Sequence, residues 1–320
     1  MAMVDKACLG NITGVTEFQL LGFQTRPELK PFLFTVFLTI YILTVIGNIL
    51  IIVVVSADSH LHSPMYFFLV NLSFVEVWYT TAIAPLMLSG LLTEGSPISF
   101  SGCISQFHIS AFLVTTECFL LTVMAYDRYV AICRPLHYVV LMGQQLCLQL
   151  AFAAWMTGFL STAITSLFLC MLQFDRLSLI DHFFCDFGSL IKAACSDTSL
   201  VEMEVFVISS LITSVSLLVI IASYIHIISD ILKIPSSQGR HRAFSTCSSH
   251  LAVVVTYFGT LISIYVVPAK GQALNLNKAL SPLYTAATPL FNPIVYTLRN
   301  KDVQKSLRTF SLRRTSMLKN

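Results

Sequence analysis

Charge is what this 320-residue sequence has least of. Asp, Glu, Lys and Arg make up 11% of it, against 56% hydrophobic residues. A soluble domain carries roughly 25% charged residues, so an ordinary soluble protein is excluded. The net charge of +3 is too small to point to nucleic acid. The nine cysteines include no Cys-x-x-Cys pair, which argues against zinc. Residues 1–30 lack a basic start followed by a short apolar core, so no cleavable signal peptide is read there. No low-complexity segment is present, and no repeat of the kind that builds two-halved transporters.

What is there is apolar length. A membrane span needs about 20 mostly apolar residues. Seven segments meet this, at about 31–55, 64–90, 103–127, 146–171, 203–229, 245–267 and 279–298. The expected fold is therefore an all-α membrane protein, a seven-transmembrane helix bundle over 31–298. Residues 1–30 form an extracellular N-terminus and 299–320 a cytoplasmic tail. With the N-terminus outside, twelve Lys and Arg fall on cytoplasmic loops and tail and seven on the outer side, as the positive-inside rule requires. Asn11-Ile12-Thr13 is a glycosylation acceptor and lies outside in this orientation. In the tail, Val303, Leu307 and Phe310 recur at helical spacing opposite Lys301, Lys305 and Arg308. That pattern reads as a short amphipathic helix on the inner membrane face. The tail has no Cys, so the usual palmitoyl anchor is missing there.

The few polar residues inside the spans need reasons. Asp127-Arg128 stands at the edge of the third span, before a break at Pro135, and an ion pair is costly to place there. Glu76 and Glu117 are acids deep inside the second and third spans. Such carboxylates face the bundle interior, paired, protonated or bound to a cation. The expectation is a shared site for sodium or a proton, the alternative being two separate hydrogen-bonded carboxyls. Gly47-Asn48 in the first span offers close packing and an amide seeking a partner helix. Pro289 and Pro293 free backbone carbonyls in the seventh. On the oxidising outer side Cys103, Cys185 and Cys195 are expected to pair. Cys118, Cys133, Cys147 and Cys247 read as small buried hydrophobes.

Asp127-Arg128-Tyr129 ending the third span and Asn292-Pro293-x-x-Tyr296 ending the seventh resemble a rhodopsin-like G-protein-coupled receptor. Pro64-Met65-Tyr66-Phe67-Phe68-Leu69, Met124 through Cys133, Ser223-Tyr224, Ala243 through Leu251 and Pro289 through Asn300 look like the signature set of olfactory receptors. The match covers about residues 18–312. The resemblance implies a plasma-membrane receptor that binds a small, mostly apolar volatile ligand and activates a stimulatory G protein to raise cyclic AMP. It implies no cofactor and no enzymatic activity. It also implies a Cys103–Cys185 disulfide.

This chain departs from the family at four places. Glu76 stands for the usual Asp, Tyr257-Phe258 reverses Phe-Tyr, Asp175 replaces a loop cysteine and Arg242 replaces Lys. Without a cysteine at 175, Cys195 is left free, or pairs with Cys170 or with Cys8. Matching positions to the family gives the ligand set: Ser110, Ala111, Val114, Thr115, Ser209, Thr213, Phe258, Leu261, Ile262, Tyr265 and Thr285. The set is apolar with a few hydroxyls, which suits a small neutral ligand. Ser110 stands where amine receptors carry Asp, and no span has a central Lys for a Schiff base. Coupling falls to Asp127, Arg128, Tyr129, Tyr224, Asn292, Pro293 and Tyr296. Arg240, His241 and Arg242 open the sixth helix without an acid, so a cross-helix acid–arginine latch is excluded. A weak lock and measurable basal activity follow. The rival readings are a receptor for a non-odour metabolite and a proton-coupled transporter using the two acids.

Overall fold

The computed structural model describes residues 15–93, 95–174, 179–265, 285–286, 288–296 and 303–309, without the side chains of 242, 245, 246 and 262–265. The described helices are α1 (Lys30–Ala57), α2 (Pro64–Leu92), α3 (Phe100–Cys133), α4 (Tyr138–Leu141), α5 (Gln144–Met171), α6 (Phe187–Ala193), α7 (Ser199–Leu232) and α8 (Ser237–Tyr265). Residues 288–296 and 303–309 are also helical. The helical runs containing α1, α2, α3, α5 and α7 are long and apolar enough to cross a membrane. Their outward faces are greasy: on α7, Met203, Phe206, Leu211 and Leu218 are each more than 60% exposed. Hydrocarbon rather than water suits such faces, and a helix satisfies its own backbone there.

Proline sets several ends. Pro64 opens α2, where its missing N–H costs nothing. Pro135 follows Arg134, which leaves the helical region and caps a 3-10 turn; a residue before proline is pushed out of the α region. α3 therefore runs to Cys133, past the apolar stretch 103–127, and Asp127-Arg128 lie inside the helix rather than at its end.

The chain divides into two compact units. The first comprises Met1–Thr39, Thr81–Thr115 and Met156–Thr213. It holds a three-stranded sheet of β1 (Glu17–Leu20), β2 (Ser96–Ser99) and β3 (Leu179–Ile180) in the order β2-β1-β3. β1 pairs antiparallel with β2 and parallel with β3. The all-helical expectation did not include this sheet, whose strands are too short to leave an alternating pattern. Phe18 and Leu20 of β1 are 1% exposed and pack with Cys103, Phe107, Leu169, Ile180 and Leu190. The second unit comprises Ile40–Thr80, Thr116–Trp155 and Ser214–Asn320. Trp155 donates from Nε1 to Asn71 Oδ1 at 3.1 Å there, tying α5 to α2.

Candidate functional site

Arg128 lies in the second unit beside a buried acid. Its Nη2 and Nε reach Asp127 Oδ2 at 2.7 and 3.1 Å. Asp127 is fully buried and Arg128 nearly so. The other carboxylate oxygen accepts from Tyr138 Oη at 2.7 Å. Burial first, and then the Asp127 carboxylate, push the Tyr138 phenol above its ordinary range. It is a donor at every working pH. Sequence reasoning missed Tyr138. The signal was present, since it follows the Pro135 break and so folds back on the foot of α3.

His250 is hydrogen-bonded through both ring nitrogens. Its Nε2 lies 3.2 Å from the Leu121 carbonyl on α3, and its Nδ1 lies 2.8 Å from Tyr224 Oη on α7. One fully buried imidazole on α8 thus ties α8 to both neighbours. With Nε2 bonded to a carbonyl, the Nε2–H tautomer is required, and Tyr224 donates to Nδ1. Tyr129 packs on the His226 ring at 5.6 Å. In the segment after α3, Leu136, Val139 and Val140 are 92%, 82% and 81% exposed, beside exposed Arg134 and His137.

A polar cluster occupies the same unit. Asn292 Nδ2 donates to Glu76 Oε1, and to Glu117 Oε1 at 3.4 Å. The two acids singled out from the sequence therefore share one donor. Glu76 Oε2, Asn292 Oδ1 and Tyr296 Oη are buried without a partner among the described residues. Pro293 has no N–H for the carbonyl of Pro289, and Asn48 Nδ2 takes that carbonyl at 3.4 Å. Gly47 lets α1 come that close: a Cβ there would stand 3.1 Å from the Pro293 ring.

In the first unit Cys103 and Cys185 form a disulfide. Beside it Gln106 bridges three segments, donating to the Ala82 carbonyl at 2.8 Å and accepting from Cys185 N at 3.0 Å. Cys195 is disulfide-bonded and Cys170 is free. The free reading of Cys195 and its pairing with Cys170 are both overturned. Cys8, Asn11 and Asp175 lie outside the described residues.

The chain matches the olfactory receptor family model over residues 37–313. It belongs to the olfactory receptor family. It is 47% identical over 308 residues to human olfactory receptor 11L1, covering 96% of each chain. It is 46% identical to human olfactory receptor 2C3, covering 94% of each. It is 43% identical to mouse olfactory receptor 5G9, covering 97% of this chain and 99% of that one. An olfactory receptor is a G-protein-coupled receptor and not an enzyme, so a small odorant ligand and a G protein are its partners.

The olfactory receptor's expected ligand residues fall on both units. In the first, Ser110 is buried and donates to the Phe107 carbonyl at 3.0 Å, and Thr115 donates to Ala111 O at 2.9 Å. Ser209 donates to the Val205 carbonyl. Ala111, Val114 and Thr213 are half-buried. These three bonded hydroxyls spend their protons on their own helices and keep lone pairs to accept with. In the second unit Phe258 is buried against Tyr257, ring centroids 5.3 Å apart, and Thr285 is buried. Leu261 is half-buried. Ile262 and Tyr265 are on α8, with side chains outside the description.

Proposed function

We propose that this olfactory receptor is a seven-span plasma-membrane protein with its N-terminus outside. It binds a small, mostly apolar volatile and activates a stimulatory G protein that raises cyclic AMP. The observation that supports the reading is a set of contacts in the second unit: Arg128 bound by Asp127, and α8 tied to α3 and α7 by His250. The ligand contacts are Ser110, Ala111, Val114, Thr115, Ser209, Thr213, Phe258, Leu261, Ile262, Tyr265 and Thr285. Their accepting hydroxyls favour a ligand with one donor, such as an alcohol, on an apolar body.

Signalling needs two states that the ligand binds unequally. In the resting state Asp127 holds Arg128, and His250 holds Tyr224 away from it. In the signalling state α8 moves outward, Tyr224 leaves His250, and Tyr224 and Tyr296 turn toward Arg128. Tyr129, Asn292 and Pro293 shape the same switch. The G protein docks on the exposed Leu136-Val139-Val140 patch, which is apolar as the core of such an interface is. Asp127 is the only acid paired with Arg128 among the described residues, and no acid on α8 assists it.

Sodium fits the polar cluster. The unpartnered oxygens of Glu76 and Asn292 are the hard donors that such a cation takes. Glu76, Glu117 and Asn292 would hold it, and it would supply positive charge between two carboxylates. The test of the whole reading is a volatile panel with a cyclic AMP reporter. Arg128→Ala at wild-type surface expression is expected to abolish every response. A retained response would overturn the role of Arg128.

A further inference from the structure

The second unit carries a cavity of about 530 Å³ that shares only Pro293 with the residues assigned to the switch. Leu43, Gly47 and Leu50 of α1 form one wall, and Leu290, Pro293 and Ile294 form the other. Gln304, Leu307 and Arg308 close one end. Residues 303–309 are fixed in place there, with Val303 buried and Ser306 donating to Asp58 just beyond α1.

The walls are apolar and the polar groups stand at one end only. We infer that this groove binds one anionic glycerophospholipid, an acyl chain lying along Leu43, Leu50, Leu290 and Ile294 and the phosphate on Arg308 and Gln304.

Four observations select this occupant. Leu43, Ile46 and Leu50 of the membrane-length α1 are 52%, 58% and 36% exposed, so the groove is continuous with a lipid-facing surface. Arg308 is exposed and in no ion pair among the described residues. The tail around it is basic, with seven Lys and Arg against the single acid Asp302 over residues 299–320, which complements an anionic headgroup. Residues 299–320 also hold no cysteine. The bound lipid then does non-covalently what an acyl anchor does elsewhere, holding 303–309 against α1. The inference rests on membrane residence and not on the odorant or the G protein.

The test uses the full chain in nanodiscs of phosphatidylcholine containing a minority of phosphatidylserine. Native mass spectrometry then counts lipids retained on the released protein. One phosphatidylserine per chain is expected, preferred over phosphatidylcholine. Arg308→Gln is expected to cut that preference by about fivefold, the effect of one cation near a lipid headgroup. Leu43→Trp fills the groove from a half-exposed position that leaves the core intact, and is expected to remove the retained lipid. Arg240→Gln, on another basic surface, is expected to change nothing. Equal retention of the two lipids would overturn the inference. So would wild-type retention in both groove variants, or a loss in Arg240→Gln as large as in Arg308→Gln. Odorant responses are read separately, so failure here leaves the receptor reading standing.

Discussion

His250→Leu removes the imidazole that ties α8 to α3 and α7 while keeping an apolar side chain of similar bulk. Two buried neutral hydrogen bonds are lost, at 2.8 and 3.2 Å, each worth about 0.5–1.5 kcal/mol. Tyr224 is not left orphaned, because its hydroxyl also lies 3.5 Å from the Cys247 carbonyl. That fallback places the cost toward the lower half of the range, about 1–2 kcal/mol. The bonds belong to the resting state in our mechanism, so their loss shifts the equilibrium toward signalling by about 5–30-fold. The assay is ligand-free cyclic AMP, normalised to surface receptor and compared with empty cells. The wild type is expected slightly above empty cells and His250→Leu well above the wild type. Tyr224→Phe is the control: it loses the resting bond and also the contact made in the signalling state, so its maximal odorant response falls. A His250→Leu basal level no higher than wild type, at equal surface expression, refutes the latch.

Two other perturbations test separate parts. Cys103→Ser opens a disulfide between residues 82 apart in sequence. Loop-closure entropy makes that a loss of about 4–5 kcal/mol, seen as a thermal midpoint lower by roughly 10 °C and as poor surface expression. Leu136→Asp leaves folding intact, since Leu136 is 92% exposed. It is expected to cut odorant-stimulated cyclic AMP about tenfold, the effect of losing 1.4 kcal/mol at the G-protein contact, with odorant binding unchanged.

Parts of this site are written in the sequence in physical terms. Two prolines four residues apart announce a free carbonyl, and Asn48 on another helix takes the one at Pro289. Glu76 and Glu117 could not stand alone in a span, and they meet at Asn292. Family likeness supplied the Cys103–Cys185 pair, which spacing alone does not choose. Other parts leave no local mark. A lone buried histidine looks the same in sequence whether it fills space or joins three helices, so His250 needed coordinates. The partners of Gln106 lie 24 and 79 residues away, and no periodicity encodes them. The strands of two to four residues in the small sheet fall below the length at which alternation becomes visible.

The buried oxygens without partners among the described residues are not scattered. Thr44, Asn48, Glu76, Asn292 and Tyr296 all carry one, and all lie in the second unit. More than nine in ten buried polar groups in folded proteins are satisfied, and each exception costs about 1–3 kcal/mol. Five together call for partners beyond the described side chains: ordered water, a proton shared by the two carboxyls, a cation, or a second arrangement of the helices. In the mechanism we propose, the last two are linked through a switch whose states differ around Arg128. A cation held by Glu76 and Asn292 stabilises the arrangement that binds it, so sodium is expected to lower ligand-free cyclic AMP. Glu76→Gln keeps the shape and the hydrogen-bonding capacity but removes the charge, and it should erase that sodium response while leaving Asp127–Arg128 untouched. Glu117→Gln should do the same if the two carboxylates form one site. Wild-type responses to sodium and to pH in both variants would show that the acids are separate hydrogen-bonded groups and that no cation is shared between them.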